Sequence, residues 1–216
     1  MARNSRQLRE TLGSRLRTLE RSRAEVERLQ GSGLLTMRAC EHVYEGLFLA
    51  AFTAFERFIE DLFIGLMVDK RGVKHSLAAP HKRVLIGTHD IARELAYGAG
   101  RSYVDWLPFA DKTLKLAKVF FRGGYPFSRL ADPADPAAVM VAEELRRALA
   151  IRNAIAHRSD FSMAQFQKVV LAGKLLLPSE RGPAGFLRGL SHTAPPTTRF
   201  EVYSASLAQA ARILAG

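Results

Sequence analysis

The chain has 216 residues, of which 48% are hydrophobic, and this suffices for one domain of fair size with a terminal elaboration. Lys and Arg number 32 and Asp and Glu number 21, so the formal net charge is +11. This charge favours a polyanionic partner, although a basic surface also serves solubility or binding to an anionic membrane. The single cysteine, Cys40, excludes an internal disulfide and a cysteine-based zinc or iron–sulfur site within one protomer.

The chain shows no targeting or membrane-spanning segment. Its first 12 residues lack the apolar stretch of a secretory signal, and its longest apolar run, residues 46–55, is about half as long as a bilayer span. Together with the lone cysteine, this predicts a soluble cytoplasmic protein that does not insert into a membrane.

Two long helices are predicted first. Leu8, Leu12, Leu16 and Leu19 recur at helical spacing, and Val26 and Leu29 continue the stripe, which predicts an amphipathic helix over residues 4–30. This helix, with its arginine-rich outer face, could pack on the body, pair with a partner helix or touch phosphates. After the Gly31–Gly33 break, a second helix is predicted from Leu34 to Val68, apolar on more than one stripe and therefore buried between several neighbours.

Two carboxylates interrupt the apolar surface of the second helix. Glu56 and Glu60 lie one turn apart on one face. Because an isolated buried charge costs far more than a hydrogen bond returns, both are predicted to pair with arginine.

Shorter elements follow in the middle of the chain. They are predicted as a loop over 70–80, a helix over 84–97 ended by Gly98 and Gly100, a helix over 112–121 capped by Asp111, a turn at 123–126, and a helix that starts in Asp132–Pro136 and ends at His157.

The C-terminal part carries a weaker signal. It is predicted as a helix over 163–174, a loop over 178–196 rich in Pro and Gly, a short strand over 199–203 and a last helix over 205–214. The whole is predicted as an all-α protein with three parts: an N-terminal helix over 1–32, a helical domain over 33–175 and a C-terminal extension over 176–216.

The residues with the clearest chemistry lie at the end of the helix that reaches His157. Arg152 and His157 are five apart, and Asn153 shares a face with His157, so all three can reach one cleft. Histidine transfers protons at neutral pH and arginine binds phosphate oxygens bidentately, so the group suggests phosphodiester cleavage. The plainer interpretation is a histidine that complements the helix C-terminus beside a solvated arginine.

Other classes of site have no support in the sequence. The remaining histidines form no ligand pair, so no metal is predicted. The glycine pairs at 98–100 and 123–124 lack the Lys-Ser/Thr of a phosphate loop and the setting of a dinucleotide motif, and no Gly-x-Ser-x-Gly elbow occurs. No cofactor is predicted.

The pattern Arg152-Asn153-x-x-x-His157 resembles the Arg-x4-6-His signature of the HEPN superfamily. Three further segments resemble the RiboL-PSP-type HEPN families: Phe55–Leu62, Tyr103–Pro108 and Gly124–Phe127. The resemblance covers about residues 40–172 and leaves 1–32 and the tail beyond 175 outside it.

This resemblance implies a HEPN-like helical bundle that forms a homodimer and joins two Arg-His pairs in a composite cleft. It implies metal-independent RNA cleavage, in which the ribose 2′-hydroxyl attacks the adjacent phosphorus and leaves a 2′,3′-cyclic phosphate. His157 would be the acid or base, Arg152 would stabilise charge on the phosphorane, and Asn153 would orient one of them. Glu56 would hold Arg152 in place.

Two functional classes follow from the resemblance. The first is an endoribonuclease, in a prokaryotic defence or toxin–antitoxin system with RNA as substrate and an antitoxin or defence protein as partner. The second is a non-catalytic HEPN module that binds RNA or a partner protein, since several HEPN families have lost catalysis. Arg152 and His157, both present, favour the enzyme.

Overall fold

The computed structural model describes residues 4–68, 73–75, 86–98, 100–101, 103–191 and 195–216. Within these ranges the only β pairings are three isolated bridges, so the predicted all-α class is confirmed. The described α-helices are α1 (Ser5–Gly31), α2 (Met37–Met67), α3 (His89–Tyr97), α4 (Lys115–Phe120), α5 (Pro136–His157), α6 (Asp160–Phe166), α7 (Pro183–Arg188) and α8 (Arg199–Ala215). Most of the loop predicted over 70–80 lies outside the described residues.

The two predicted N-terminal helices are confirmed. Helix α1 starts with a reciprocal pair, in which Asn4 Oδ1 accepts from Gln7 N at 2.7 Å and Gln7 Oε1 accepts from Asn4 N at 3.0 Å. Its leucine stripe is buried from Leu8 to Leu19. Gly33, at φ 77°, supplies the left-handed turn between α1 and α2.

The chain forms two compact units. The first consists of Met1–Gly13, Phe55–Glu143 and Ala208–Gly216, and the second of Ser14–Ala54 and Glu144–Leu207. In the first, the Phe63 ring lies 5.2, 5.0 and 5.1 Å from the rings of Trp106, Phe121 and Phe127. In the second, the core contains seven aromatic residues: Tyr44, Phe48, Phe52, Phe166, Phe186, Phe200 and Tyr203. Aromatic packing therefore dominates both cores.

Helix α3 begins later than predicted. It starts at His89, because Thr88 is the N-cap, with extended backbone and an Oγ1 that accepts from Ile91 N at 3.4 Å. Ile86 and Gly87 are therefore not helical. The predicted start at residue 84 lies outside the described residues. Gly98 ends the helix at φ 83°, as predicted.

The prediction that Asp111 caps a helix is wrong. Phe109 already has helical dihedrals, and Asp111 lies inside a π-helical turn, Ala110–Leu114, that leads into α4. Asp111 Oδ1 instead lies 3.3 Å from Lys115 Nζ, one turn onward. The predicted turn at 123–126 is confirmed, with Gly123 and Gly124 at φ 62° and 73°.

Three C-terminal predictions are corrected. The helix predicted over 163–174 starts at Asp160, capped by Ser159, and its π-helical end stops at Leu171. The predicted loop over 178–196 contains α7, which starts at Pro183.

The predicted strand over 199–203 is the first turn of α8. Thr198 caps this helix: Glu201 Oε2 accepts from Thr198 N at 2.7 Å, and Thr198 Oγ1 accepts from Glu201 N at 3.3 Å. This capping box, Thr-x-x-Glu, outweighs the β propensity of Phe200, Val202 and Tyr203.

Candidate active site

Helix α5 carries the site at its C-terminal end. Asp135 caps its start, since Asp135 Oδ1 accepts from the backbone N–H groups of Ala137 at 2.9 Å and Ala138 at 3.2 Å. Pro136 is the first helical residue, as the sequence predicts. Toward the other end, Ile151, Ala154 and Ile155 are buried in the second unit. Burial of this face holds the helix in place, so the backbone that carries the side chains of the opposite face is rigid.

Arg152, Asn153 and His157 meet at the end of α5. The Arg152 guanidinium donates to Asn153 Oδ1 across 3.1 Å, and the same Nη1 lies 3.4 Å from His157 Nε2. Arg152 and Asn153 are half-buried, whereas His157 is exposed. Arg152 therefore contacts both of the other residues predicted from spacing, and the imidazole is open to a ligand from solvent.

The contact between Arg152 and His157 has a chemical consequence. A guanidinium can only donate, so a hydrogen bond at this distance needs an imidazole whose Nε2 carries no proton. In that tautomer the Nε2 lone pair lies beside a cation that can bind a phosphate oxygen in its planar fork. The arrangement can take a proton and stabilise negative charge at one place.

The two alanines of the motif differ in exposure. Ala154 is buried, so its small side chain lets the core of the second unit approach the helix closely. Ala156 is exposed and leaves room beside His157. The small side chain of Ala156 therefore allows a ligand or a second helix to approach closely at this position.

Sequence reasoning missed the residues that hold the end of α5. Arg158, the residue after the helix, has a positive φ of 49°, and its Nη2 donates to Glu45 Oε2 at 2.6 Å. Glu45 lies on α2, and its side chain is only 16% exposed. His42 Nδ1 lies 3.6 Å from the same carboxylate oxygen.

No local signal in the sequence links Glu45 to Arg158, because 113 positions separate them. The positive φ is also a poor fit for arginine, which as a non-glycine residue rarely adopts it. The ion pair between α2 and the residue after α5 therefore accompanies a strained backbone next to His157.

The two predicted carboxylate sites on α2 belong to the first unit. Glu60 Oε1 lies 3.5 Å from Arg93 Nε and accepts from the Tyr97 hydroxyl at 2.5 Å, so its predicted pairing with arginine is confirmed. Burial and the bond to Glu60 raise the pKa of Tyr97 to about 12. Glu56 is half-buried. Its pairing with Arg152, a residue of the second unit, stays a prediction.

The described residues contain no group of three or more His, Cys, Asp and Glu side chains that could hold a metal ion. Cys40 is a buried free thiol whose pKa is raised by burial. In the same part of the chain, none of the helices has the length and apolar character needed to cross a membrane.

Comparisons of the whole chain with family models, with curated proteins and with solved structures found no match.

Proposed function

We propose that the protein is a metal-independent endoribonuclease, organised as a HEPN-like bundle whose homodimer joins two Arg152–His157 pairs in one cleft. The observation that carries the proposal is the 3.4 Å contact between Arg152 Nη1 and His157 Nε2 at an exposed helix end. The net charge of +11 supports a polyanionic substrate.

The chemistry follows from these groups. The imidazole of one His157 takes the proton of a ribose 2′-hydroxyl, whose oxygen attacks the adjacent phosphorus. A new P–O2′ bond forms and the P–O5′ bond breaks, which leaves a 2′,3′-cyclic phosphate. The partner's His157, in its protonated form, gives a proton to the leaving 5′-oxygen. Arg152 stabilises the charge that develops on the phosphorane oxygens.

Asn153 and the Glu45–Arg158 pair position these groups. Asn153 accepts from Arg152 and so turns the guanidinium along the helix face toward His157. The Glu45–Arg158 ion pair fixes the backbone immediately after His157. A role in prokaryotic defence or as the toxin of a toxin–antitoxin pair belongs to the same proposal and rests on the resemblance of the motif alone.

Incubation of the purified protein with total RNA in EDTA tests the proposal. We expect cleavage by the wild-type protein, and loss of at least about a hundredfold in rate for His157→Ala and for Arg152→Ala, with folding unchanged. Arg57→Ala is the matched control for arginine removal, because its exposed guanidinium lies 4.0 Å from Asp61 and takes no part in the proposed site; we expect it to cleave RNA like the wild-type protein. Intact RNA in every sample would favour the non-catalytic HEPN module.

A further inference from the structure

A cleft lies beside α4 in the first unit. None of the residues that line it belongs to the candidate active site. Its volume of about 590 Å³ is in the range of small-molecule sites, about 300–1,000 Å³. Its lining includes two tyrosines, Tyr97 and Tyr103, and Val119 of α4. The size and the aromatic lining together suit a flat ring of the size of a nucleobase.

Tyr103 is the side chain that such a ring would meet. It is 70% exposed, although aromatic side chains of this size dominate the cores of both units. Val119, also in the lining, is 64% exposed and adds an apolar surface. Tyr97 is fixed, because its hydroxyl donates to Glu60. Tyr103 therefore offers an aromatic face that the protein itself does not cover.

The same cleft carries a surplus of positive charge. Arg101, Lys112 and Lys115 line it. Two carboxylates, Asp105 and Asp111, also line it, and Asp111 pairs with Lys115 at 3.3 Å. Three cations against two carboxylates leave one positive charge in excess in the lining, which suits a single phosphate next to the ring.

We propose that this cleft binds one nucleotide of single-stranded RNA, with its base stacked on Tyr103 and its phosphate on Lys112 and Lys115. An aromatic platform beside a basic groove is the usual way that proteins hold single strands without reading their sequence. A single strand is required because a base inside a duplex cannot reach an aromatic side chain. The inference rests on the proposed function in one respect, the choice of RNA as the polyanion.

Fluorescence anisotropy with a short labelled oligouridylate tests the inference. All proteins carry His157→Ala and the buffer contains EDTA, so that the probe stays intact. We expect Tyr103→Ala to bind about tenfold more weakly and Tyr103→Phe to bind like the parent, because the ring face does the stacking. We expect Lys112→Gln to weaken binding and to lower the salt slope by about one.

Lys74→Gln is the matched control, since Lys74 is an exposed lysine of the first unit that does not line the cleft. Parent-like binding by both Tyr103→Ala and Lys112→Gln, or equal losses for Lys112→Gln and Lys74→Gln, would overturn the inference. Displacement of the oligouridylate by an equal concentration of uridine monophosphate would overturn the RNA assignment in favour of a free nucleotide.

The two proposals fail separately. If the wild-type protein cleaves RNA but both Tyr103→Ala and Lys112→Gln bind like the parent, the cleft is not an RNA site and the proposed function stands. If no cleavage occurs but Tyr103→Ala weakens binding, the cleft stands and the catalytic proposal fails.

Discussion

Two local features bear on the charge state of the His157 imidazole. Neutral, it can accept from Arg152 at Nε2. His157 is also the last residue of α5, at the negative end of the helix dipole. The proposed mechanism uses this imidazole as the base in one protomer and as the acid in the other.

A second histidine, His75, is expected to make the stability of the first unit depend on pH. Its Nε2 lies 3.1 Å from the carbonyl oxygen of Leu214. Burial, and then the nearby Arg129, lower its pKa, while the backbone bond opposes them. Because the folded pKa is below the unfolded value of about 6.5, the unfolded state binds protons first. The free energy of unfolding should fall as the pH drops through about 6.5 and should level off below the folded pKa.

Urea unfolding at several pH values between about 7.5 and about 5 measures this effect. His75→Gln cannot titrate but keeps a hydrogen-bond donor, so it should show a flatter dependence on pH than the wild-type protein. Equal slopes for the two proteins in this range would rule out His75 as the cause.

Helix α7 is held by an ion pair that joins it to α1 in the second unit. Arg188 donates to both carboxylate oxygens of Glu27, at 2.8 and 3.0 Å, and the Tyr44 hydroxyl donates to the same carboxylate at 2.8 Å. The side chains of Arg188 and Glu27 are only 26% and 29% exposed. The bond from Arg188 lowers the pKa of Glu27. We expect Arg188→Ala to reduce the free energy of unfolding by about 1–3 kcal/mol.

Arg28→Ala is the matched control on α1. Arg28 also binds a glutamate, Glu25, at 2.6 Å, but both side chains are largely exposed, so water replaces the lost bond. Chemical unfolding should therefore show little or no change for this variant. Equal losses in the free energy of unfolding for the two variants would show that the burial of the Arg188–Glu27 pair does not add to its contribution to stability.

The long elements could be predicted from the sequence and several short ones could not. Helices α1, α2 and α5 have long apolar stripes and clear breaks at their ends, so periodicity alone locates them. The short helix α7 has no such stripe, and one of its stabilising partners, Glu27, is 161 positions away. Such partners are fixed by tertiary packing, which a local pattern does not contain.

In the candidate site, too, a local contact could be predicted from the sequence and a long-range contact could not. The contact of Arg152 with His157 could be predicted, because Asn153 and His157 are four apart on one face of the helix and the long side chain of the adjacent Arg152 can reach that face. The Glu45–Arg158 pair could not, since it depends on how α2 and α5 pack in the second unit. The pairing of Glu56 with Arg152 remains a prediction for the same reason.

At the scale of the whole molecule, the proposed composite cleft makes activity depend on assembly. If two protomers contribute to one site, specific RNA cleavage should fall on dilution, in step with the fraction of dimer measured by sedimentation. His157→Ala should dimerise like the wild-type protein, because the exposed imidazole is not a core group. A specific activity that stays constant while the dimer dissociates would show that one protomer suffices.

The proposed mechanism requires a free ribose 2′-hydroxyl next to the bond that is cut, and a substrate without this group tests it. A short single-stranded RNA and the same oligonucleotide with 2′-O-methyl groups at every ribose would be incubated with the protein in EDTA, and the products analysed by mass spectrometry. We expect cleavage of the RNA alone, with 2′,3′-cyclic phosphate ends, because the attacking 2′-hydroxyl is absent from the methylated strand. Cleavage of both strands, or products with 5′-phosphate ends, would contradict it.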